Sequence, residues 1–295
     1  MSPSVSVPEK TLEHWASQYV TYRYRSKAAL WWPTGGEDID VRWLPARPGK
    51  AVQLELKTTT VAGAGLHDVL VDLGQLWQYR QRRLGNQPFY AFPWPDWRGE
   101  LTAAATAGGR PVTELAFARS GPGWWFADWM VVLTATQVAT ALHTELAAHG
   151  TATRGKKERL VRFDLRHSRA RPVVTWGSGT TPPAAVCWRD FWPALEQCGR
   201  AGWPQLIMLP ARLSRPQDHY PRSQVIRLLR EAADAVASGE WDGGDLVTLE
   251  PDGEGNYQVA PAPDDEPRDL QDVAGGVEDH RQLGFLEAGA LLRAR

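Results

Sequence analysis

The sequence is poor in cysteine and has no long apolar run. Two cysteines in 295 residues are too few for a four-cysteine zinc site or a disulfide framework. No apolar run approaches the roughly 18 residues of a membrane span, and the first ten residues have neither the basic nor the apolar part of a secretory signal. We therefore expect a cytoplasmic protein with reduced cysteines and no membrane partner.

Several catalytic motifs are also missing. There is no Walker A loop, so any strand unwinding would need a partner that hydrolyses ATP. The seven histidines are scattered and form no His-Glu-x-x-His pair, which argues against that class of zinc hydrolase. Gly177-Ser178-Gly179 lacks the full nucleophile elbow of a serine hydrolase.

Charge is distributed unevenly, although the formal net charge is only −1 and the composition is that of a soluble globular protein. Residues 151–230 hold 15 basic and 5 acidic side chains, whereas 231–295 hold 4 and 16. A basic segment favours a nucleic-acid backbone, and a solvated charged face is the alternative. The candidate contacts in this segment are Arg154, Lys156, Lys157, Arg159, Arg162 and Arg166.

Residues 36–57 read as a hairpin in which each strand has one polar face. Asp38, Asp40 and Arg42 alternate with apolar residues in the first strand, as Gln53, Glu55 and Lys57 do in the second. Two prolines and Gly49 supply turn chemistry between the strands. Carboxylates and a lysine therefore converge on one side.

This convergence suits a divalent metal. Hard cations such as Mg²⁺ take carboxylate oxygens and keep several waters, and Lys57 could position one such water or offset the charge of an attacked phosphate. The alternative is a solvent-facing hairpin with one cross-strand ion pair.

The order of these residues resembles the PD-(D/E)xK nuclease superfamily, over roughly residues 9–93. Its signature is an acid on one strand and Glu/Asp-x-Lys on the next, as Asp40 and Glu55-Leu56-Lys57 stand here. Gln75-Leu76-Trp77-Gln78-Tyr79 looks like the Gln-x-x-x-Tyr element of the RecB-like and Cas4-like branches. Glu13 lies on a predicted helix where the family often has a further acid.

The resemblance implies a restriction-endonuclease-like αβββαβ core with a mixed sheet. It further implies Mg²⁺ or Mn²⁺ held by Asp40, Glu55 and the Leu56 carbonyl, with Glu13 as a further candidate ligand and Lys57 acting on the attacking water. Gln75 and Tyr79 would position the nucleic-acid strand. Arg80 and Arg83, at the end of the same helix, are candidate phosphate contacts or helix-capping cations.

The proline-acid opening of the family name is absent, which leaves three candidates for the first acid. Asp40 is preferred because its apolar-Asp-apolar context resembles the family's usual strand acid. Asp38, on the same face, is a candidate to lie beside the metal ligands without binding the metal itself. Glu37 fits a turn.

Periodicity and turn residues predict the remaining elements. Up to residue 150 we expect a helix over 9–25, strands over 28–33, 87–93 and 126–133, helices from Leu66 to Gly85 and over 134–149, and an insertion over 94–125. Beyond 150 we expect strands near 159–165, 172–176 and 204–209, helices near 187–200 and 223–238, and a hairpin at 245–260. Residues 261–282 are acidic and predicted to be disordered, and 283–295 have helical spacing.

We therefore predict three regions: a nuclease-like domain over 1–150, a basic α/β extension or accessory domain over 151–260, and an acidic tail with a short terminal helix over 261–295. The predicted function is metal-dependent hydrolysis of DNA, in defence against foreign DNA or in repair. RNA is the alternative substrate, and a protein partner or a second copy of the chain is a candidate partner. The alternatives are a catalytically silent binding or complex-forming module and a hydrolase of smaller phosphate esters.

Overall fold

The computed structural model describes residues 9–31, 46–57, 59–63, 66–93, 130–142, 146–147, 158–168, 171–176, 185–214, 217, 219–241, 243–260 and 282–290. The α-helices in these ranges are α1 (Glu9–Tyr24), α2 (Leu73–Gln81), α3 (Ala135–Ala141), α4 (Trp188–Glu196) and α5 (Arg222–Ser238). The strands are β1 (Ala28–Trp31), β2 (Gly49–Leu56), β3 (Thr59–Gly63), β4 (Leu66–Asp72), β5 (Pro88–Pro93), β6 (Met130–Thr134), β7 (Glu158–Ser168), β8 (Arg171–Trp176), β9 (Val186–Cys187), β10 (Leu206–Pro210), β11 (Tyr220–Pro221), β12 (Leu246–Pro251), β13 (Asn256–Val259) and β14 (Gln282–Glu287).

These elements confirm the α/β class. Ten of the described strands belong to one open, mixed sheet, and the other four form a separate antiparallel sheet. None of the helices in the described ranges has the length and apolarity needed to cross a bilayer. The finer expectation, a restriction-endonuclease-like core, stays a prediction.

The chain divides into two compact units that alternate along the sequence. The first unit comprises Met1–Arg23, Glu55–Arg80 and Phe89–Phe191, and the second comprises Tyr24–Leu54, Gln81–Pro88 and Trp192–Arg295. The predicted division into three consecutive regions is not tested by this partition and stays a prediction.

The first unit contains two antiparallel strand sets. In one, β6 lies between β5 and β9, with Tyr90 opposite Leu133. In the other, the order is β3, β4, β7 and β8. A core cluster that includes Leu76, Tyr79 and Phe92 joins α2 to β5, β6 and α3. Helix α3 begins with a capping box, in which the side chains of Thr134 and Gln137 each accept the other residue's backbone N–H.

In the second unit, the Gly49–Leu54 part of β2 is a buried central strand. It pairs antiparallel with β14 along Gly49–Leu54 and with β10 along Gly49–Ala51, and every residue of β2 is buried. Gly49 is required by this close packing, because a Cβ atom there would overlap the Leu286 carbonyl oxygen. The alternative of a solvent-facing second strand is therefore wrong.

Two elements differ from the prediction. Residues 66–72, expected as the start of a helix, form β4, because β3 and β7 satisfy the backbone groups on both of its edges. Residues 283–287, expected to begin a terminal helix, belong to β14, which lies between β1 and β2. Both segments are short and have apolar residues at helical spacing, and such spacing in a short run does not by itself separate a strand from a helix.

Most other predicted elements are confirmed. Helix 9–25 is α1, strand 87–93 is β5, helix 223–238 is α5, and the hairpin at 245–260 is the antiparallel pair β12 and β13. The first strand of the predicted hairpin, the insertion over 94–125 and residues 261–281 lie outside the described residues.

Candidate active site

Glu55 and Lys57 lie together at the end of β2, within the first unit. Alternation along the strand places residues 55 and 57 on the same face. The backbone N–H of Lys57 donates to the Ala91 carbonyl at 3.0 Å, which fixes the lysine beside β5. The Lys57 Nζ lies 2.6 Å from Glu55 Oε1. The predicted Glu-x-Lys motif thus forms a close ion pair.

Tyr79 completes the contacts of the glutamate. Its hydroxyl donates to Glu55 Oε2 at 2.9 Å, and its ring packs edge-on against Tyr90 with centroids 6.1 Å apart. Each carboxylate oxygen of Glu55 therefore has a partner: Oε1 has the Lys57 ammonium group and Oε2 has the Tyr79 hydroxyl. Gln75, one turn earlier on α2, is also buried.

Burial and charge oppose each other at Lys57. The Glu55 side chain has no exposed surface and that of Lys57 is 13% exposed. Burial by itself would lower the pKa of Lys57, but the carboxylate of Glu55, helped by those of Glu9 and Asp72, raises that pKa above its usual value. Lys57 is therefore a cation at neutral pH.

Asp72 is a site residue that the sequence prediction missed. It is the last residue of β4, and its Oδ1 accepts the backbone N–H of Gln75 at 3.0 Å, as an N-cap carboxylate does. Asp72 therefore fixes the start of α2, the helix that presents Tyr79. The available signal was an aspartate three residues before a glutamine, which is a capping-box pattern.

Glu13 is buried on α1, with 1% of its surface exposed, so the alternative in which it faces water is wrong. Its Oε2 lies 3.1 Å from Lys10 Nζ. Its Oε1 is buried and has no hydrogen-bond partner among the residues that the structure describes. A buried carboxylate oxygen of this kind is a suitable donor for a cation.

The donor chemistry of the site fits Mg²⁺ or Mn²⁺. Glu55 keeps unused lone pairs beside its two contacts. Because the peptide is planar and trans and the Lys57 N–H faces Ala91, the Leu56 carbonyl points away from β5. Within the described ranges no three His, Cys, Asp or Glu side chains form a metal-binding group. The predicted ligand Asp40, and Asp38 and Glu37 beside it, lie outside those ranges.

The structure describes the positions of five of the predicted phosphate contacts, whose role stays a prediction. Arg80 is exposed, and its guanidinium donates to Thr136 Oγ1 at 2.6 Å. Arg83 lies 3.9 Å from Glu250. The backbones of Arg159, Arg162 and Arg166 are on β7, the first two in register with Val71 and Asp68 of β4 and Arg166 with Val173 of β8. Arg154, Lys156 and Lys157 lie outside the described residues.

Of the predicted catalytic side chains, the structure brings Glu55, Lys57 and Tyr79 into contact, with Gln75 on the same helix as Tyr79. Comparison of the chain with protein-family models, with curated proteins and with solved structures finds no match.

Proposed function

We propose that the protein is a metal-dependent nuclease that hydrolyses phosphodiester bonds of DNA. The observation that carries the proposal is the fully buried Glu55 carboxylate between Lys57 at 2.6 Å and Tyr79 at 2.9 Å. Burying an ion pair costs more solvation energy than burying apolar side chains of similar volume. A catalytic role therefore explains this buried ion pair, whose lysine stays partly exposed, better than a contribution to the stability of the fold does.

The metal would be held by the carboxylate of Glu55 and the carbonyl of Leu56, with Asp40 and Glu13 as further ligands and Asp38 supporting them. When bound, it supplies a Lewis acid for the scissile phosphate and for a water molecule. The remaining steps belong to side chains of this chain.

Lys57 acts as a fixed positive charge. Because its pKa is raised, it holds its proton at neutral pH and does not serve as a general base. It orients the attacking water and stabilises the negative charge that develops on the phosphate.

Tyr79 holds the carboxylate of Glu55 in one orientation through its hydroxyl. This differs from the predicted role, in which Tyr79 positions the nucleic-acid strand directly. Gln75 remains a candidate for that contact. The exposed Arg80, which donates to Thr136 at the start of α3, is a candidate to bind a phosphate of the nucleic acid.

The test is cleavage of linear and circular, single- and double-stranded DNA and RNA with Mg²⁺, Mn²⁺ or EDTA. We expect Glu55→Gln and Lys57→Met each to lose about 100-fold or more in rate, the usual cost of removing one charge-stabilising group. The matched control is Glu231→Gln, which breaks an exposed ion pair with Arg227 on α5 and should cleave as the wild type does. Full activity in Glu55→Gln would refute the proposal.

A second candidate is a nuclease-fold module that binds nucleic acid or a protein partner without cleaving. The observation that favours it is that both Glu55 oxygens already have partners. DNA binding that is indifferent to metal and unchanged in Glu55→Gln, without cleavage, would support it. A role in defence or repair stays a prediction.

A further inference from the structure

The second unit contains a buried polar cluster that the proposed nuclease chemistry does not use. Lys50 of β2 has no exposed surface. Its Nζ lies 2.6 Å from the Leu195 carbonyl oxygen, 3.1 Å from the Glu196 carbonyl oxygen and 3.2 Å from Cys198 Sγ. The thiol of Cys198 is buried as well, with 1% of the residue exposed. An amine and a thiol therefore lie in direct contact inside the unit.

The three hydrogen-bond acceptors of Lys50 Nζ are two backbone carbonyls and a thiol, and none of the three is a carboxylate. Its contact with Glu196 is to the backbone, while Glu196 Oε1 accepts the hydroxyl of Tyr24 at 2.7 Å. Loss of water on burial lowers the pKa of Lys50, and the nearby sulfur and the more distant carboxylate only partly oppose this. The neutral amine, which is the nucleophilic form, is therefore favoured relative to an exposed lysine.

The backbone at Cys198 is held in an uncommon conformation. Its φ angle is +60°, a left-handed value that glycine adopts readily and cysteine does not. The residue is kept there by its carbonyl, which accepts hydrogen bonds from Gln205 Nε2 at 3.0 Å and from the Tyr257 hydroxyl at 3.2 Å. Glycine would satisfy this turn with less strain, so the side chain itself needs an explanation.

We propose that Lys50 and Cys198 form an oxidation site at which a hydroperoxide closes a covalent bond between Nζ and Sγ. In the first step the Cys198 thiol loses its proton and its sulfur attacks the peroxide. The O–O bond breaks, one oxygen stays on Sγ as a sulfenic acid, and the other takes up the proton and leaves as water or an alcohol. In the second, the Lys50 amine attacks the sulfenyl sulfur, the S–O bond breaks, and water leaves with a proton from the amine. The sulfur is oxidised by two electrons, the peroxide is reduced, and the protein loses two hydrogen atoms.

The geometry favours this pair over the other cysteine. A separation of 3.2 Å between Nζ and Sγ is that of reacting atoms already in contact. The oxidant reaches Sγ by local opening of the turn after α4, where Gln197, Arg200 and Ala201 are exposed. Cys187 on β9 is less buried than Cys198. If exposure alone decided, Cys187 would oxidise first.

The experiment treats the full-length protein with hydrogen peroxide, digests it, and maps the peptides by mass spectrometry. We expect one peptide that joins the Lys50 and Cys198 segments, lighter by two hydrogens than their sum, and released by dithiothreitol. Because the bond joins β2 to the end of α4, the treated protein should also melt at a higher temperature. Neither readout depends on nuclease activity.

Two variants sharpen the test. Cys187→Ser should still form the linked peptide, and Cys198→Ser should not. Recovery of Cys198 as a free thiol under conditions that oxidise Cys187 would overturn the proposal. So would Cys198 sulfinic acid beside an unmodified Lys50. Both of these outcomes can be read on the wild type, so the proposal remains testable if a variant does not fold.

Discussion

The substitution Tyr79→Phe isolates the bond that orients Glu55. It removes one oxygen and leaves the ring that packs against Tyr90. The hydroxyl donates to Glu55 Oε2 at 2.9 Å, and both partners are buried. Because Glu55 has no exposed surface, water does not replace the lost donor without local rearrangement.

The expected cost follows from the charge of the acceptor. A hydrogen bond to an ionised group is worth about 1.5–3 kcal/mol, more than a bond between neutral groups. The phenyl ring keeps the apolar contacts, so no cavity term is added beyond the missing oxygen. We expect Tyr79→Phe to lower the free energy of unfolding by about 2 kcal/mol.

The assay is urea unfolding of the two single variants, Tyr79→Phe and Glu55→Gln, and of the double variant. Since the two side chains share one bond, their effects should be non-additive by about 1–2 kcal/mol. The control is Tyr257→Phe combined with Glu55→Gln. The Tyr257 hydroxyl bonds to Gln205 and the Cys198 carbonyl, so this pair should be additive.

A coupling energy between Tyr79 and Glu55 within about 0.5 kcal/mol of zero, the usual spread of independent sites, would refute the reasoning. It would mean that the hydroxyl does not hold the carboxylate in solution. The positioning role given to Tyr79 would then have to be withdrawn, whereas the ion pair of Glu55 with Lys57 would be unaffected.

Three further predictions concern the same unit. The raised pKa of Lys57 means that its ion pair stabilises the fold fully below the unfolded lysine value of about 10.4, and that this stability is lost as the pH rises through the folded pKa. The free energy of unfolding of Lys57→Met should therefore decrease less at alkaline pH than that of the wild type. An equal decrease in both proteins would contradict the assignment. Asp72→Ala should cost about 1 kcal/mol in urea unfolding as a lost N-cap, whereas Asp72→Asn keeps the acceptor and should cost less; equal losses would show that charge, not capping, is what matters. If Mg²⁺ binds at Glu13, it should raise the melting temperature of the wild type more than that of Glu13→Gln, and equal shifts would remove Glu13 from the ligands.

Much of the fold followed from local patterns. Helix α1 has a stripe of apolar residues at helical spacing, and β12–β13 has turn residues between two short strands, so both were predictable. Segments β4 and β14 were not, because their apolar residues fall at helical spacing and they become strands only through partners far along the chain. Tertiary pairing outweighed local spacing at both places.

The candidate site also contains residues that could be predicted from the sequence and residues that could not. Glu55, Lys57 and Tyr79 were predictable because motif order and helical spacing place them together. Asp72 was missed because α2 was expected to start at Leu66. The contact of Lys50 with Cys198 joins residues 148 positions apart, and no local pattern indicates it.

The pairing of β2 with β14 has a consequence for synthesis. Gly49–Leu54 receive one of their strand partners from Gln282–Glu287, which the ribosome makes more than two hundred residues later, at a rate of about 5–20 residues per second. Until then β2 is an apolar strand with an open edge, which is the feature that chaperones bind and that leads to aggregation. Such long-range pairing also predicts slow folding. A deletion meant to remove only the acidic segment should therefore stop before Gln282, because a longer one would leave the strand that carries Glu55 with an unpaired edge.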